Sequence, residues 1–152
     1  MKKDKQLQLV LEENLQALES AMDTFKYSIA KCEIIEYKIK YSYDELDSFE
    51  ALTSRFARIA DIITQKVLKT IFLLLREDVF TFLDRANLAE KLGIIPNAKD
   101  LIRIRDLRNE ITHEYQLVNI TDIYDSVLNN GKLLILLYNS INKFAKHKFA
   151  IE

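Results

Sequence analysis

At 152 residues the chain is long enough for one domain with its own core and too short for two of ordinary size. Two glycines and one proline exclude a fold built on many tight turns, and a single cysteine excludes an internal disulfide. A formal net charge of −1 provides no global field to draw in a polyanion, so any nucleic-acid binding must rest on a local cluster.

The first residues, MKKDKQLQLV, are charged and lack the apolar stretch of a secretory signal. The longest apolar run, Leu133 to Tyr138, is far too short to span a bilayer. Together they lead us to expect a cytoplasmic chain with no membrane partner.

Leu11, Leu15, Leu18, Met22, Phe25 and Ile29 recur at steps of three and four and predict a first helix from about residue 6 to the low thirties, with this stripe as core. Between Glu33 and Asp44 the pattern blurs and predicts an irregular connection. Asp47 and Glu50 stand at capping-box spacing before Phe49, Leu52, Phe56, Ile59, Ile63, Val67 and Leu74, which predict a second long helix ending near Arg76. The stretch VFTFLDRANLAEKLG fits a shorter third helix stopped by Gly93, with Pro96 just beyond it. Asn97 or Asp100 can cap a fourth helix. A fifth follows the cluster Asn119 to Asp122 and carries Ile123, Val127, Leu134, Leu137, Ile141 and Phe144, with a bend expected at Asn129 to Gly131. The expected architecture is all-α: one domain over residues 1–152, an antiparallel up-and-down bundle of four long helices plus a short one.

The fourth helix carries the unusual residues. Leu101, Ile104, Leu107 and Ile111 form its apolar stripe, with Arg108 and Tyr115 at or near the stripe's edge, where a guanidinium without a partner would be costly. A second stripe, Ile102, Asp106, Asn109 and His113, is polar and holds a titratable ring. At about 100° per residue Arg108 and His113 stand about 140° apart around the axis. One straight helix therefore does not aim both at one point, and a wrapped side chain, a bent helix or a second protomer would be needed. Lys99, Arg103, Arg105 and Arg108 set four positive charges against Asp100 and Asp106, a modest local excess that suits a phosphate.

The run LRNEITHEY resembles the R-x4-H-x-Y motif of the HEPN superfamily, with a polar residue after the arginine, and in particular its HepT-like toxins, encoded beside minimal nucleotidyltransferases. The segments FEALTSRFARIADIITQKVLKTI and LDRANLAEKLGII, followed by the motif, resemble the same family in order and spacing. The resemblance implies a homodimer whose motif helices meet across a two-fold axis and form a composite cleft that cleaves single-stranded RNA without metal or other cofactor. It assigns Arg108 to the scissile phosphate, His113 to proton transfer and Asn109 to orientation by hydrogen bonding, while the local positive excess makes Arg105 and Arg103 the expected RNA contacts. It also implies that a cognate nucleotidyltransferase antitoxin silences the toxin by transferring AMP to Tyr115. Ile111 and Thr112, both β-branched, depart from an ideal last turn before the histidine.

Two other readings stay open beside this one: a non-catalytic helical module that binds substrate for, or regulates, a nucleotidyltransferase, and a plain dimeric scaffold. His147 sits in the basic stretch KFAKHKF and reads as a solvated helix end, Cys32 as a small buried side chain. The four tyrosines between residues 27 and 43 read as packing or interface aromatics.

Overall fold

The computed structural model describes residues 2–113 and 120–152, with the side chain of residue 120 left aside. All regular structure among them is helical: α1 (Lys2–Glu33), α2 (Tyr43–Asp61), a π-helical turn (Ile62–Val67), α3 (Leu68–Leu74), α4 (Phe82–Lys91), α5 (Ala98–His113) and α6 (Ile120–Lys148). Asp61, Ile62, Val67 and Leu68 all keep right-handed helical dihedrals, so α2, the π turn and α3 form one uninterrupted rod.

Cys32 Sγ donates to Ser48 O at 3.4 Å, Arg55 Nη1 to Ser28 Oγ at 2.6 Å, and Arg76 Nη2 to Asp4 Oδ2 at 3.4 Å, so this rod runs antiparallel to α1. α6 is likewise antiparallel to α1: Gly131 lies over Phe25 and Ile29, while Gln8 Nε2 donates to Phe149 O at 3.0 Å. α5 packs against both α2 and α6, and the short α4 packs on α5.

The core is continuous through these interfaces. The expected stripes are buried at Leu11, Leu15, Leu18, Met22 and Phe25 of α1, and at Phe49, Leu52, Phe56 and Ile59 of α2. Ile123, Val127, Leu134, Leu137 and Ile141 of α6 are buried with them. Phe25 meets Phe56 edge-on at 6.0 Å between centroids, and Phe49 stacks on Tyr124 at 4.5 Å with planes 9° apart. No described helix is long and apolar enough to cross a membrane.

Several boundaries differ from expectation, each for a local reason. The second helix starts a turn before the expected cap, at Tyr43 rather than after Asp47. Ser42 is its N-cap: Glu45 N donates to Ser42 Oγ at 3.1 Å and Ser42 N to Glu45 Oε1 at 2.9 Å, a complete capping box. Tyr41, just before the cap, packs edge-on against Phe49 at 5.2 Å and fixes the approach of the chain. α4 is shorter than expected because Thr81 caps it, accepting from Asp84 N at 3.1 Å. It stops as foreseen at Gly93, whose φ of 77° lies in the left-handed region that glycine adopts without strain.

Asn97, not Asp100, caps α5: its Oδ1 accepts from Lys99 N at 3.0 Å. α6 passes through Asn129–Gly131 as continuous helix, with Asn130 donating its amide to Ser126 O at 2.7 Å and Gly131 letting α1 approach closely. The sequence periodicity carried no sign of the π turn. The turn inserts one residue into the ladder, so that Leu68 N reaches Ile63 O, while the Thr64 hydroxyl donates to Ala60 O at 2.8 Å.

Candidate functional site

The site is built on the face of α5 that looks toward the π turn. Ala98, Leu101, Ile104 and Leu107 are buried and fix the helix on the core, while Ile111, expected in the same stripe, is only half-buried as α5 nears its end. Residues three and four apart share a face. Arg105, Arg108, Asn109, Thr112 and His113 therefore project along one side of α5, spread over an arc of about 140° with Arg108 and His113 at its two edges and Asn109 between them.

Arg108 is half-buried, its side chain keeping 29% of its surface in solvent, and it has the partner that its position demands. Nε donates to Asp61 Oδ1 at 2.7 Å, Nη2 to Asp61 Oδ2 at 3.0 Å, and Nη1 to Thr112 Oγ1 at 2.5 Å. The two bonds to Asp61 form a bidentate fork, which fixes the plane of the guanidinium as well as its position. They also push the Arg108 pKa above its usual value, against the opposing effect of desolvation. Thr112 is held in turn by donating to Arg108 O at 3.2 Å, so this β-branched residue of the last turn helps to orient the arginine.

Asp61 was not foreseen from the sequence. It is the last residue of α2, directly before the π turn, a kind of helix defect that recurs at functional sites. Its one local signal is a carboxylate set inside the otherwise apolar run IADII, Ile59 to Ile63.

Asp61 and Arg108 open onto a groove of about 510 Å³ whose other polar lining comes from Thr64, Gln65, Arg85, Arg105 and Asn109, with Phe82 as its aromatic. The Arg105 guanidinium lies 4.3 Å above the Phe82 ring centre, a cation–π contact, and its Nε donates to Asp106 Oδ1 at 3.1 Å. Arg85 is steadied by one bond from Nη2 to Phe80 O at 3.2 Å.

Three arginines against one aspartate make this groove positive. Two other depressions are not. A larger one of about 770 Å³, between the end of α1 and the start of α2, is lined by four acids, Glu36, Asp44, Glu45 and Asp47, against Lys31, Lys38 and Arg55. A third, of about 390 Å³, balances Lys99 and Arg103 against Asp106 and Glu110. Charge rather than size selects the site for an anion, so the smaller groove at Arg108 is the one that matters.

The structure thus brings Arg108, Asn109 and Arg105 together. It separates Arg103, which lines the balanced depression between α5 and α6. His113 is exposed on the last turn of α5. Tyr115, the expected AMP acceptor, lies outside the described residues. His147 is exposed near the end of α6 and Cys32 is buried, as expected. Of the four tyrosines, Tyr41 packs in the core margin, whereas Tyr27, Tyr37 and Tyr43 are exposed. Among the described residues no three His, Cys, Asp or Glu side chains gather as a metal-ligand set. Compared with known proteins, the chain matches no family model, no curated protein and no solved structure.

Proposed function

We propose that the chain is an endoribonuclease of HEPN type, the toxin of a toxin–antitoxin pair, and that its fold is the corresponding up-and-down bundle. It acts as a homodimer on single-stranded RNA without a metal. The observation that carries this reading is the guanidinium of Arg108, fixed in orientation by Asp61 and Thr112 at the edge of a groove with excess positive charge. A cation held rigid before substrate arrives is what stabilisation of a developing phosphorane requires.

In the proposed reaction the 2′-hydroxyl of a ribose attacks the adjacent phosphorus. His113 of one protomer takes the hydroxyl proton, the 2′-oxygen–phosphorus bond forms, and Arg108 neutralises the charge on the equatorial oxygens. The bond to the 5′-oxygen breaks, that oxygen receives a proton from the second imidazole, and a 2′,3′-cyclic phosphate remains. Arg108 and His113 sit on opposite edges of one arc of α5, so two paired helices supply the pair of groups more readily than one. Asn109, between them, orients the phosphate. AMP on Tyr115, added by the cognate nucleotidyltransferase, would bring a phosphodiester to the same anion site and exclude the substrate.

A second reading has one observation in its favour: Asp61 already neutralises Arg108 with both carboxylate oxygens. That suits a non-catalytic substrate-binding or regulatory subunit of a nucleotidyltransferase. The deciding experiment is cleavage of single-stranded RNA by purified protein in chelator, wild type against His113→Ala. Cleavage by the wild type alone supports the ribonuclease. Equal cleavage by both removes it, and no cleavage together with a stable nucleotidyltransferase complex favours the second reading.

A further inference from the structure

The groove beside Arg108 contains more than a phosphate clamp needs. Arg85 comes from α4, Phe82 from the first turn of the same helix, Arg105 from α5 and Gln65 from the π turn. Asp61 occupies Arg108, and Asp106 takes one nitrogen of Arg105. No carboxylate stands within ion-pair distance of Arg85 among the described residues. The Arg105 side chain, although laid over Phe82, keeps 38% of its surface in solvent. Its planar guanidinium thus has one face on an aromatic ring while much of it stays reachable. A volume of about 510 Å³ lies within the range of small-molecule sites.

We propose that this groove is a nucleotide subsite for single-stranded RNA, in which Arg85 takes the phosphate next to the scissile one and the Arg105–Phe82 stack takes a base. The proposal rests on the ribonuclease reading for its choice of RNA. The chemistry of the lining favours a nucleotide over an acidic peptide. An acidic peptide would use the arginines alone, whereas a nucleotide uses the stacking platform as well, and guanidinium planes and aromatic rings accept every base by its π-face. Gln65 and Asn109 add amide donors and acceptors beside it. The subsite sets the register of the strand, placing the next phosphate on Arg108.

Binding is measured by fluorescence anisotropy with a labelled 2′-O-methyl uridine oligonucleotide, which cannot be cleaved, and with an oligonucleotide of the same length that is abasic at every position. Full-length wild type, Arg85→Gln and Phe82→Leu are compared, with thermal melting confirming the fold of each. Arg85→Gln is expected to weaken binding about tenfold at low salt and to reduce the slope of log affinity against log salt by about one. Phe82→Leu is expected to weaken the intact oligonucleotide about tenfold and the abasic one little, since the lost contact is to the base. Unchanged affinity in both variants, equal loss on both oligonucleotides, absence of binding by the wild type, or equal competition by polyglutamate would each overturn the proposal. Wild type that binds in the expected manner yet leaves unmodified RNA intact keeps the subsite and removes the ribonuclease reading. Cleavage with binding indifferent to Arg85 and Phe82 does the reverse.

Discussion

Asp61 and Arg108, from the last residue of α2 and the fourth turn of α5, meet with both carboxylate oxygens on guanidinium nitrogens, at 2.7 and 3.0 Å. The pair joins two helices and holds the one cation that the proposed chemistry needs. Asp61 is therefore a positioning residue, and it also competes with any phosphate for the same donors. Asp61→Asn keeps the shape and removes the charge. Because the Asp61 side chain keeps 43% of its surface in solvent, screening limits the stability cost to about 1 kcal/mol. RNA binding should tighten severalfold as the competitor is removed, while kcat falls about tenfold or more because the fork no longer fixes the guanidinium. A KM that rises, or a kcat that is unchanged, would argue against this split role.

How far the sequence anticipates this arrangement depends on what kind of information each feature carries. The stripes of α1, α2 and α6 repeat with helical period and are buried where the repeat puts them, except that Ile29 and Phe144, at the ends of their stripes, are half-buried. Asn97 and Gly93 cap and stop helices through side-chain or backbone chemistry local to a few residues. The cap at Ser42 was legible as well, since Ser42 and Glu45 form the S-x-x-E pattern, but Asp47 and Glu50 offer the same spacing five residues later. The Asp61 partner of Arg108 is settled by helix-to-helix contact across 47 residues, which periodicity does not encode. The cost of burying a lone guanidinium foretold that Arg108 needs a partner without saying which.

The capping box at the start of α2 makes an acid-side prediction. Glu45 is held below the usual carboxylate range first by its bond from Lys38, at 2.5 Å, and then by the backbone bond from Ser42. A carboxylate with a depressed folded pKa contributes stability that is present above its unfolded pKa and is lost as pH falls through the folded value. Wild type should therefore lose stability on acidification below about pH 4, and Glu45→Gln should lose less over the same window. Ser42→Ala, which removes the other half of the box, should cost about 1 kcal/mol at neutral pH in denaturant melts.

Gly131 marks the closest approach of α6 to α1. A methyl there would stand 3.1 Å from Ile29 Cδ1 and 3.7 Å from Phe25 Cζ. The nearer atom is the tip of a half-buried side chain and can move aside, whereas Phe25 is fully buried and cannot. Gly131→Ala gains up to about 1 kcal/mol of helix propensity and loses part of it to the crowding of Ile29, so its melting midpoint should stay near that of wild type. Gly131→Val adds two more carbons toward Phe25 and should destabilise by about 2 kcal/mol. Equal behaviour of the two variants would mean that the helices separate more freely than the packing implies.

Tyr124 is 2% exposed, and its hydroxyl finds no hydrogen-bond partner among the described residues, although the ring is well stacked on Phe49. A buried donor left unpaired costs free energy that a phenylalanine of the same shape does not incur. Tyr124→Phe should therefore be neutral or stabilising by about 1 kcal/mol, the opposite of the usual outcome for a substitution in the core. Burial, with smaller contributions from Glu50 and Cys32, pushes the phenol up to about 12. A group whose folded pKa is raised contributes stability that is whole below the unfolded value near 10 and is lost as pH climbs through the folded one. Alkaline denaturation of the wild type should consequently steepen between about pH 10 and 12, and Tyr124→Phe should flatten that limb. Spectrophotometric titration should show one tyrosine ionising last in the wild type and missing from the variant. If the variant is instead less stable at neutral pH, the hydroxyl has a bound water or another partner that stabilises the stack.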